Sequence, residues 1–428
     1  MMGIIKNIKN NGILFILLLI YITLVIFTPY IKIAGRENFE VTFILTILFV
    51  FLLPYAVKES FYEKNRSIRI IALLLSAIFL TDTISIVNFI IHNGFVNIIS
   101  NIVPNIKVGL YILLAIAILP AGIDEDNHRF FLYKFLPALA FLIALVGIMQ
   151  RTNLFNFNEW FTGYYISSES GRAVIDSLIE KQEWRRVLGT LSNPNFYSLQ
   201  LMVLMACITS NIVHADDLKH KAVNLIIDIM LFLSLIFTQS RTGIAVVIMV
   251  FFYFMIVQTI KGGRKNIIKY LIAFLVILIV IALAVKYMDL YYIFDIIKYK
   301  FDVNSVNDRI KHWIEAINLF KFHPIVGIGP VIGVYYSSVD NEYIHILRNY
   351  GALGLLAHLS LYIYIFVATL KDIIRKSTST MVRHYAMSVN LSVLAVLITN
   401  ITMATFYHWR NFILLLFISL MWSKVRDY

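Results

Sequence analysis

For most of this chain apolar residues do not alternate; they run in predominantly apolar blocks of roughly 17–25 residues separated by polar stretches. A block of that length crosses a hydrocarbon core as a helix. Backbone facing lipid must satisfy its own hydrogen bonds, which leaves helices or closed barrels. The two-residue alternation of a transmembrane barrel is absent. The pattern predicts spans near 12–28, 39–57, 70–91, 102–121, 131–150, 193–213, 222–238, 241–260, 267–286, 341–368, 384–405 and 409–423. The expected fold is all-α: a polytopic integral membrane protein of about 12 transmembrane helices. The first block follows Lys6 and Lys9 as a signal peptide would. It lacks a small-residue cleavage site, so a retained anchor is expected.

Two connections interrupt the rhythm. Residues 151–192 and 287–340 are long, polar and rich in aromatics, and long irregular segments tend to be functional. The expected organisation is therefore spans 1–5 in 1–150, a long loop in 151–192, spans 6–9 in 193–286, a second long loop in 287–340, and spans 10–12 in 341–428. The two loops together would form a small extracytoplasmic cap. Within the second, Ser305-Val306-Asn307-Asp308 reads as a capping box leading into a helix through Phe320. Ile310, Trp313, Ile314 and Ile317 fall on one stripe, so this helix should be amphipathic and lie on the membrane surface. Pro324, Gly327, Gly329 and Pro330 end it in a tight turn.

Composition agrees with the spans: 60% of residues are hydrophobic, only 14% are charged, and the mean hydropathy is +0.79. A soluble protein carries about a quarter charged residues. The net charge of +12 would point to nucleic acid in a soluble chain, but here the basic residues gather in alternate short loops. One side holds Lys58, Lys64, Arg66, Arg69, Arg129, Lys134, Lys219, Lys221, Lys261, Arg264, Lys371, Arg375, Lys376, Arg383, Lys424 and Arg426, among others. The other side's short loops hold only Lys32, Arg36, Arg241 and Arg410. By the positive-inside rule both termini should be cytoplasmic and both long loops exterior. The single Cys207 lies in an apolar block, so no disulfide framework exists. Asp82, Lys107 and Asp228 fall inside spans, scattered without an evident partner, and packing or snorkelling roles are expected. Asp124-Glu125-Asp126 reads as a solvated cytoplasmic loop, and no Cys or paired-His spacing suggests a metal site.

Four clusters could carry chemistry, all on the exterior side. They are Arg185-Arg186 through Asn193-Pro194-Asn195, the tight turn Gln239-Ser240-Arg241-Thr242-Gly243, Arg309 with His312 and Trp313 before Gly327-Ile328-Gly329, and Asp340-Asn341-Glu342-Tyr343-Ile344-His345 before Gly351 and Gly354. In these motifs the chain resembles the O-antigen ligase and polymerase superfamily of bacterial surface-polysaccharide enzymes. The resemblance lies in R-x-x-G-x-x-x-N-P-N at Arg186–Asn195, S-R-T-G at Ser240–Gly243, R-x-x-x-W at Arg309–Trp313, P-x-x-G-x-G at Pro324–Gly329, and N-x-Y at Asn341–Tyr343. Their order, spacing and shared side carry it over residues 185–355. Many relatives have His-Asn where this chain has Asp340-Asn341.

The resemblance implies glycosyl transfer from a polyprenyl (undecaprenyl) diphosphate-linked oligosaccharide on the outer face of a bacterial cell membrane, without cofactor or metal. Flippase and chain-length regulator proteins are the expected partners, and nucleic acid is not. Arg186, Arg241 and Arg309 are the candidates for the donor diphosphate, because planar guanidinium forks suit phosphate oxygens. Asn341, His312 and Trp313 are the further substrate-binding candidates. Asp340 is the first choice of base and His345 the second. Each has an alternative: Arg241 as a snorkelling interfacial residue, Arg309 as a solvated helix charge, Arg186 paired with Glu183 or lipid phosphate, Asp340 as the N-cap of the tenth span, His345 as a packing residue. Within the superfamily a polymerase is favoured, with a ligase as the alternative. A transporter or flippase is the rival from another class, and no internal repeat supports it.

Overall fold

The computed structural model of the chain describes residues 12–33, 36–40, 65–96, 98–119, 123–165, 169–180, 182, 185–215, 217–262, 275, 279, 303–330 and 339–427. The expected spans at 39–57 and 267–286 lie outside the described residues, apart from Phe39 and Glu40, which are in a strand, and single positions in the second. Among the described residues, eight helices are long and apolar enough to cross a membrane. The chain is a polytopic membrane protein, helical among the described residues apart from one small hairpin.

The first helix, α1 (Gly12–Phe27), leads into a small antiparallel hairpin, β1 (Tyr30–Ile33) and β2 (Arg36–Glu40), which the apolar pattern did not suggest. Then come α2 (Arg66–Asn93), α3 (Ile98–Ile118), and a span from Glu125 to Thr152 composed of α4 (Glu125–Phe130), a π-helical turn Phe131–Phe135, and α5 (Leu136–Thr152). The first long loop folds into two 3₁₀ turns with the short helices α6 (Phe157–Trp160) and α7 (Glu169–Ile179). The second half holds α8 (Pro194–His214), α9 (Leu218–Phe237), α10 (Arg241–Gly262), α11 (Val303–Phe320), α12 (Glu342–Ile374), α13 (Thr380–Thr399) and α14 (Trp409–Arg426).

Helix starts follow their capping residues. Asn65, Asp124, Asn193, Asp217 and Ser379 each accept a hydrogen bond from a first-turn backbone N–H. The expected start at Asn193-Pro194 is thus realised. The expected capping box at Ser305 is not: α11 begins at Val303, so Ser305 and Asp308 sit inside its first two turns. Favourable intrahelical bonds extended the helix past a signal that was only local.

The bundle is built around α14. Its Leu414, Leu416, Phe417, Ile418, Met421 and Trp422 are all buried, and it packs against α2, α3, α8 and α13. A helix buried all round can carry polar groups only when they are bonded, and Arg410, Asn411 and Lys424 donate to the carbonyls of Thr190, Phe196 and Leu119. Outer helices show the reverse: α2 exposes Leu73, Leu80, Ile84 and Ile91, as a lipid-facing surface should.

The intramembrane π turn also has a local cause. Asn211 of α8 donates to the Leu132 carbonyl at 2.7 Å, occupying an acceptor that a regular helix would have used itself. A second interruption matters more. α12 breaks at Gly351, where φ is +68°. The break frees two carbonyls and two amides, and the turn after α11 takes all four. Ile328 N–H and Gly329 N–H donate to the Arg348 and Asn349 carbonyls, while Ala352 and Leu353 N–H donate to the Pro324 and Ile325 carbonyls. Non-helical backbone at membrane depth survives only where protein satisfies it, and P-x-x-G-x-G is the segment that does so.

Candidate active site

All four sequence clusters meet at one end of the bundle, where they are joined by bonds between side chains and irregular backbone. The segment 185–193 is held from three sides. Gln150, at the end of α5, accepts from Leu188 and Gly189 N–H at 3.1 and 2.8 Å and donates to the Gly189 carbonyl at 2.9 Å. Arg151 donates to the Arg185 carbonyl at 2.8 Å. Arg186 Nε donates to the Thr238 carbonyl and its Nη2 to Asn195 Oδ1, each at 2.9 Å. Half-buried Arg186 therefore clamps the start of α8 to the end of α9. Glu183, its expected alternative partner, lies outside the described residues.

The α9–α10 turn uses the S-R-T-G residues in distinct ways. Ser240 Oγ accepts from Gly243 N–H at 3.2 Å, which starts α10, and is itself bonded to Ser198. Gly243 lies so close to α8 that an added Cβ would meet Ser198 at 3.0 Å. Thr242 reaches the α13–α14 connection, where Thr402 Oγ1 donates to it at 3.2 Å. Arg241 is exposed at the first position of the helix. The backbone needs the serine and the glycine, while the arginine side chain stays exposed.

The α13–α14 connection, 400–408, carries the linkage onward. Glu342 N–H donates to the Asn400 carbonyl at 2.8 Å, and Glu342 Oε2 accepts from Phe406 N–H at 3.3 Å. These bonds fix the first turn of α12, whose N-cap is Asn341: its side chain accepts from Ile344 N–H at 3.1 Å. Asp340 is therefore not the cap, and it stands just outside the helix, half-exposed. Its carboxylate meets Arg309 of α11, with Oδ2 3.5 Å from Nε and the two side chains 49% and 41% exposed. Two candidates read from separate motifs thus form an open ion pair. An exposed pair of this kind contributes at most about 1 kcal/mol, so it separates readily.

The remaining candidates divide. Asn341 is buried and occupied in capping, which leaves its side chain little to offer a ligand. His345 faces inward, its Nε2 2.9 Å from Asn349 Nδ2 and its ring edge-on to Tyr407, the arrangement of a packing residue. His312 and Trp313 are half-buried on α11, one turn beyond Arg309. Ile310, Ile314 and Ile317 of the same helix are exposed, consistent with the expected amphipathic face. The sequence reading missed Gln150 and gave no role to Arg410, an exterior-loop charge, or to Glu342, named only as part of the fourth cluster; all three are buried and bond to backbone groups distant in the chain. It also left Asp82 and Lys107 without partners; both meet Tyr407, Asp82 at the hydroxyl and Lys107 at the carbonyl. Near them His408 stacks on Phe196, and burial with the neighbouring Lys107 and Arg410 cations pushes it down to about 3. It is neutral and offers no positive charge to an anionic donor.

No curated protein matches the chain. A family model described as O-antigen ligase matches residues 226–359, the stretch containing the S-R-T-G turn, the Arg309 helix, the P-x-x-G-x-G segment and the start of α12. The match, over about a third of the chain, falls on the same motifs by which the chain resembles the O-antigen ligase and polymerase superfamily.

Proposed function

We propose that the protein is a surface-polysaccharide polymerase. It moves a growing glycan from a polyprenyl diphosphate carrier onto the next lipid-linked repeat unit, at the outer face of a bacterial membrane. The observation that carries this reading is the Arg309–Asp340 pair, which sets a phosphate-binding group beside a proton acceptor at the motif end. Arg241 is linked to that pair through its neighbour Thr242, the 400–402 stretch bonded to it, and Glu342.

The pair gives the transfer an order. An arriving diphosphate offers Arg309 a more highly charged partner with two oxygens for its fork. Exchange of partners releases the Asp340 carboxylate as a free acceptor beside the donor. The acceptor sugar hydroxyl then attacks the anomeric carbon, and the bond from that carbon to the diphosphate oxygen breaks. The electron pair leaves with the carrier diphosphate, whose growing charge Arg309 and Arg241 stabilise. The hydroxyl proton passes to Asp340 and from there to water. Diphosphate is a good leaving group, so the step requires no general acid and no metal. Exposed Ile310, Ile314 and Ile317 on α11 would lie along the polyprenyl chain.

The test is to incubate purified protein with lipid-linked repeat units and resolve the products. A ladder of longer glycans supports polymerisation. A single glycan moved to a different acceptor supports the ligase alternative, and no transfer at all overturns both. Sidedness is checked separately: a reporter fused after residue 170 should register outside and one after residue 376 inside.

A further inference from the structure

Asp82, Tyr407 and His358 form a buried chain of three titratable groups for which the transfer chemistry has no direct use. Asp82 of α2 is 0% exposed and His358 of α12 is 1% exposed. Tyr407 Oη lies 2.8 Å from Asp82 Oδ2 and 3.0 Å from His358 Nε2. The third contact determines the proton count. His358 Nδ1 lies 2.8 Å from the Gly354 carbonyl, which can only accept, so Nδ1 carries a hydrogen.

Two proton arrangements then keep every contact. In one, Asp82 is an anion accepting from Tyr407, and His358 is a cation donating to the Tyr407 oxygen. In the other, Asp82 is a neutral acid donating to Tyr407, and Tyr407 donates to a neutral His358. Both hold the same three protons and carry no net charge; they differ by a proton shift along the chain. The remaining oxygen, Asp82 Oδ1, is buried without a hydrogen-bond partner. An unpaired carboxylate oxygen at that depth is far more costly than the carbonyl oxygen of a neutral acid. The surrounding ionisable groups do not reverse this. Lys107 is half-buried and donates to the Tyr407 carbonyl at 3.1 Å rather than to Asp82. Tyr350 meets Tyr407 by its ring and also interacts with it through the hydroxyl, a neutral partner that leaves the charge of the chain unchanged. His345 faces Tyr407 by its ring, and Glu342 is turned to Phe406.

We infer that Asp82, Tyr407 and His358 form a proton-sharing lock, with Asp82 held as a neutral acid, that positions the 400–408 connection and through it the Asp340 end of α12. The lock joins three pieces that meet around the break at Gly351. Asp82 belongs to α2, which also reaches the break through Ser85 at the Asn349 carbonyl and Asn88 at the Gly327 carbonyl. His358 belongs to α12 beyond the break. Tyr407 follows Phe406, whose N–H meets Glu342 two residues from Asp340. These are positioning residues, and their effect on transfer rests on the proposed role of Asp340.

The experiment has two readouts on the full-length protein in lipid nanodiscs. Infrared difference spectra at neutral pH should show a protonated-carboxyl band that is absent in Asp82→Asn and displaced in Tyr407→Phe. No such band assignable to Asp82 overturns the lock, whatever the protein's activity. In glycan transfer, Asp82→Asn should remain close to wild type, because its amide donates to Tyr407 as the neutral acid does. Asp82→Leu and Tyr407→Phe should lose turnover on the order of tenfold to a hundredfold, the effect of misplacing a reacting group, with the apparent KM for donor little changed. Equal losses in Asp82→Asn and Asp82→Leu would also overturn the inference. A normal Asp82 band in a protein that transfers no glycan would instead leave the lock standing and sink the polymerase reading.

Discussion

The two ends of the bundle are both polar, and they use polarity in opposite ways. At the basic end the helices close over short turns, and apart from buried Lys424 and the half-buried Arg426–Asp372 pair the charges sit largely on solvated surface. Arg129 pairs with Glu125 one turn away on α4, His220 with Asp217 at the start of α9, and Arg383 reaches the carbonyls of the α12–α13 turn. At the motif end the backbone is irregular over 185–193, 238–240, 324–330 and 400–408, and buried polar side chains satisfy it. Arg186, Arg410 and Gln150 are committed to carbonyls and amides there. An arginine at the motif end is therefore not evidence of a site in itself. What marks Arg241 and Arg309 is that they keep solvent exposure on a framework the other polar groups build. The comparison predicts four graded outcomes when individual positions are changed.

The largest effect should come from the break in α12. Gly351 has φ +68°, and a Cβ there would lie 2.3 Å from the Ile325 carbonyl oxygen, a backbone atom that cannot rotate away. Gly327 faces the same strand of contacts, with a Cβ placed 2.3 Å from the Asn349 oxygen. Gly351→Ala should cost roughly 1–3 kcal/mol from the backbone conformation and a similar amount from overpacking. Little folded protein is expected, measured as the monodisperse fraction after detergent extraction. A well-folded, active Gly351→Ala protein would show that the break is dispensable.

Next in size are the exposed groups. Asp340→Asn and Arg309→Lys should each leave extraction and thermal unfolding near wild type while lowering the transfer rate by on the order of a hundred- to a thousandfold. Because each loss also disturbs the partner, the double variant should fall well short of the product of the two. Fully multiplicative losses would mean that the two residues act at separate places. Asp340→Asn is a clean test because Asn341, not Asp340, caps the helix.

How much of this was legible from residues alone follows the same division. Spans, most helix starts and the amphipathic α11 depend on local composition and periodicity, and most described helices match the expected blocks to within a few residues. The exceptions are the span expected over 384–405, which ends at Thr399 and gives way to the irregular 400–408 connection, and the span expected to end at 368, which runs on to Ile374. The motif end was legible as a set of clusters because its residue types are unusual for exterior loops. Their individual roles were not. Asn341 and Asp340 are adjacent, and only the direction of the Asn341 side chain shows which one caps. Asp82 and Tyr407 are separated by 325 positions, and no periodicity predicts that they touch. The start of α11 was misjudged for the opposite reason: a strong local signal at Ser305 lay two residues inside a helix already under way.

The third effect is smaller and tests the framework. Lys at position 186 has one ammonium where Arg186 has a fork spanning the Thr238 carbonyl and Asn195 Oδ1. Arg186→Lys should lose about one hydrogen bond, about 1 kcal/mol, visible as a modest fall in Tm with transfer reduced only in proportion to folded protein. A loss as large as that of Arg309→Lys, in a protein of normal Tm, would move Arg186 from the framework to the donor.

The smallest effect should lie at the basic end, and it decides whether the contrast between the ends is real. Arg129 and Glu125 are 63% and 67% exposed and 2.8 Å apart, one helical turn from each other. Water solvates both heads nearly as well when they are apart, and salt screens the attraction that remains. Arg129→Ala should therefore change neither Tm nor transfer measurably, and raising the ionic strength should not alter that result. The same change in salt should matter at the motif end, where the Arg309–Asp340 pair is exposed and the donor is a diphosphate: transfer at limiting donor should weaken as salt rises, while Asp340→Asn removes the competing carboxylate. If Arg129→Ala instead lowered transfer in folded protein, the basic end would be coupled to the chemistry through α4 and α5. The division into a passive end and a working end would then have to be abandoned.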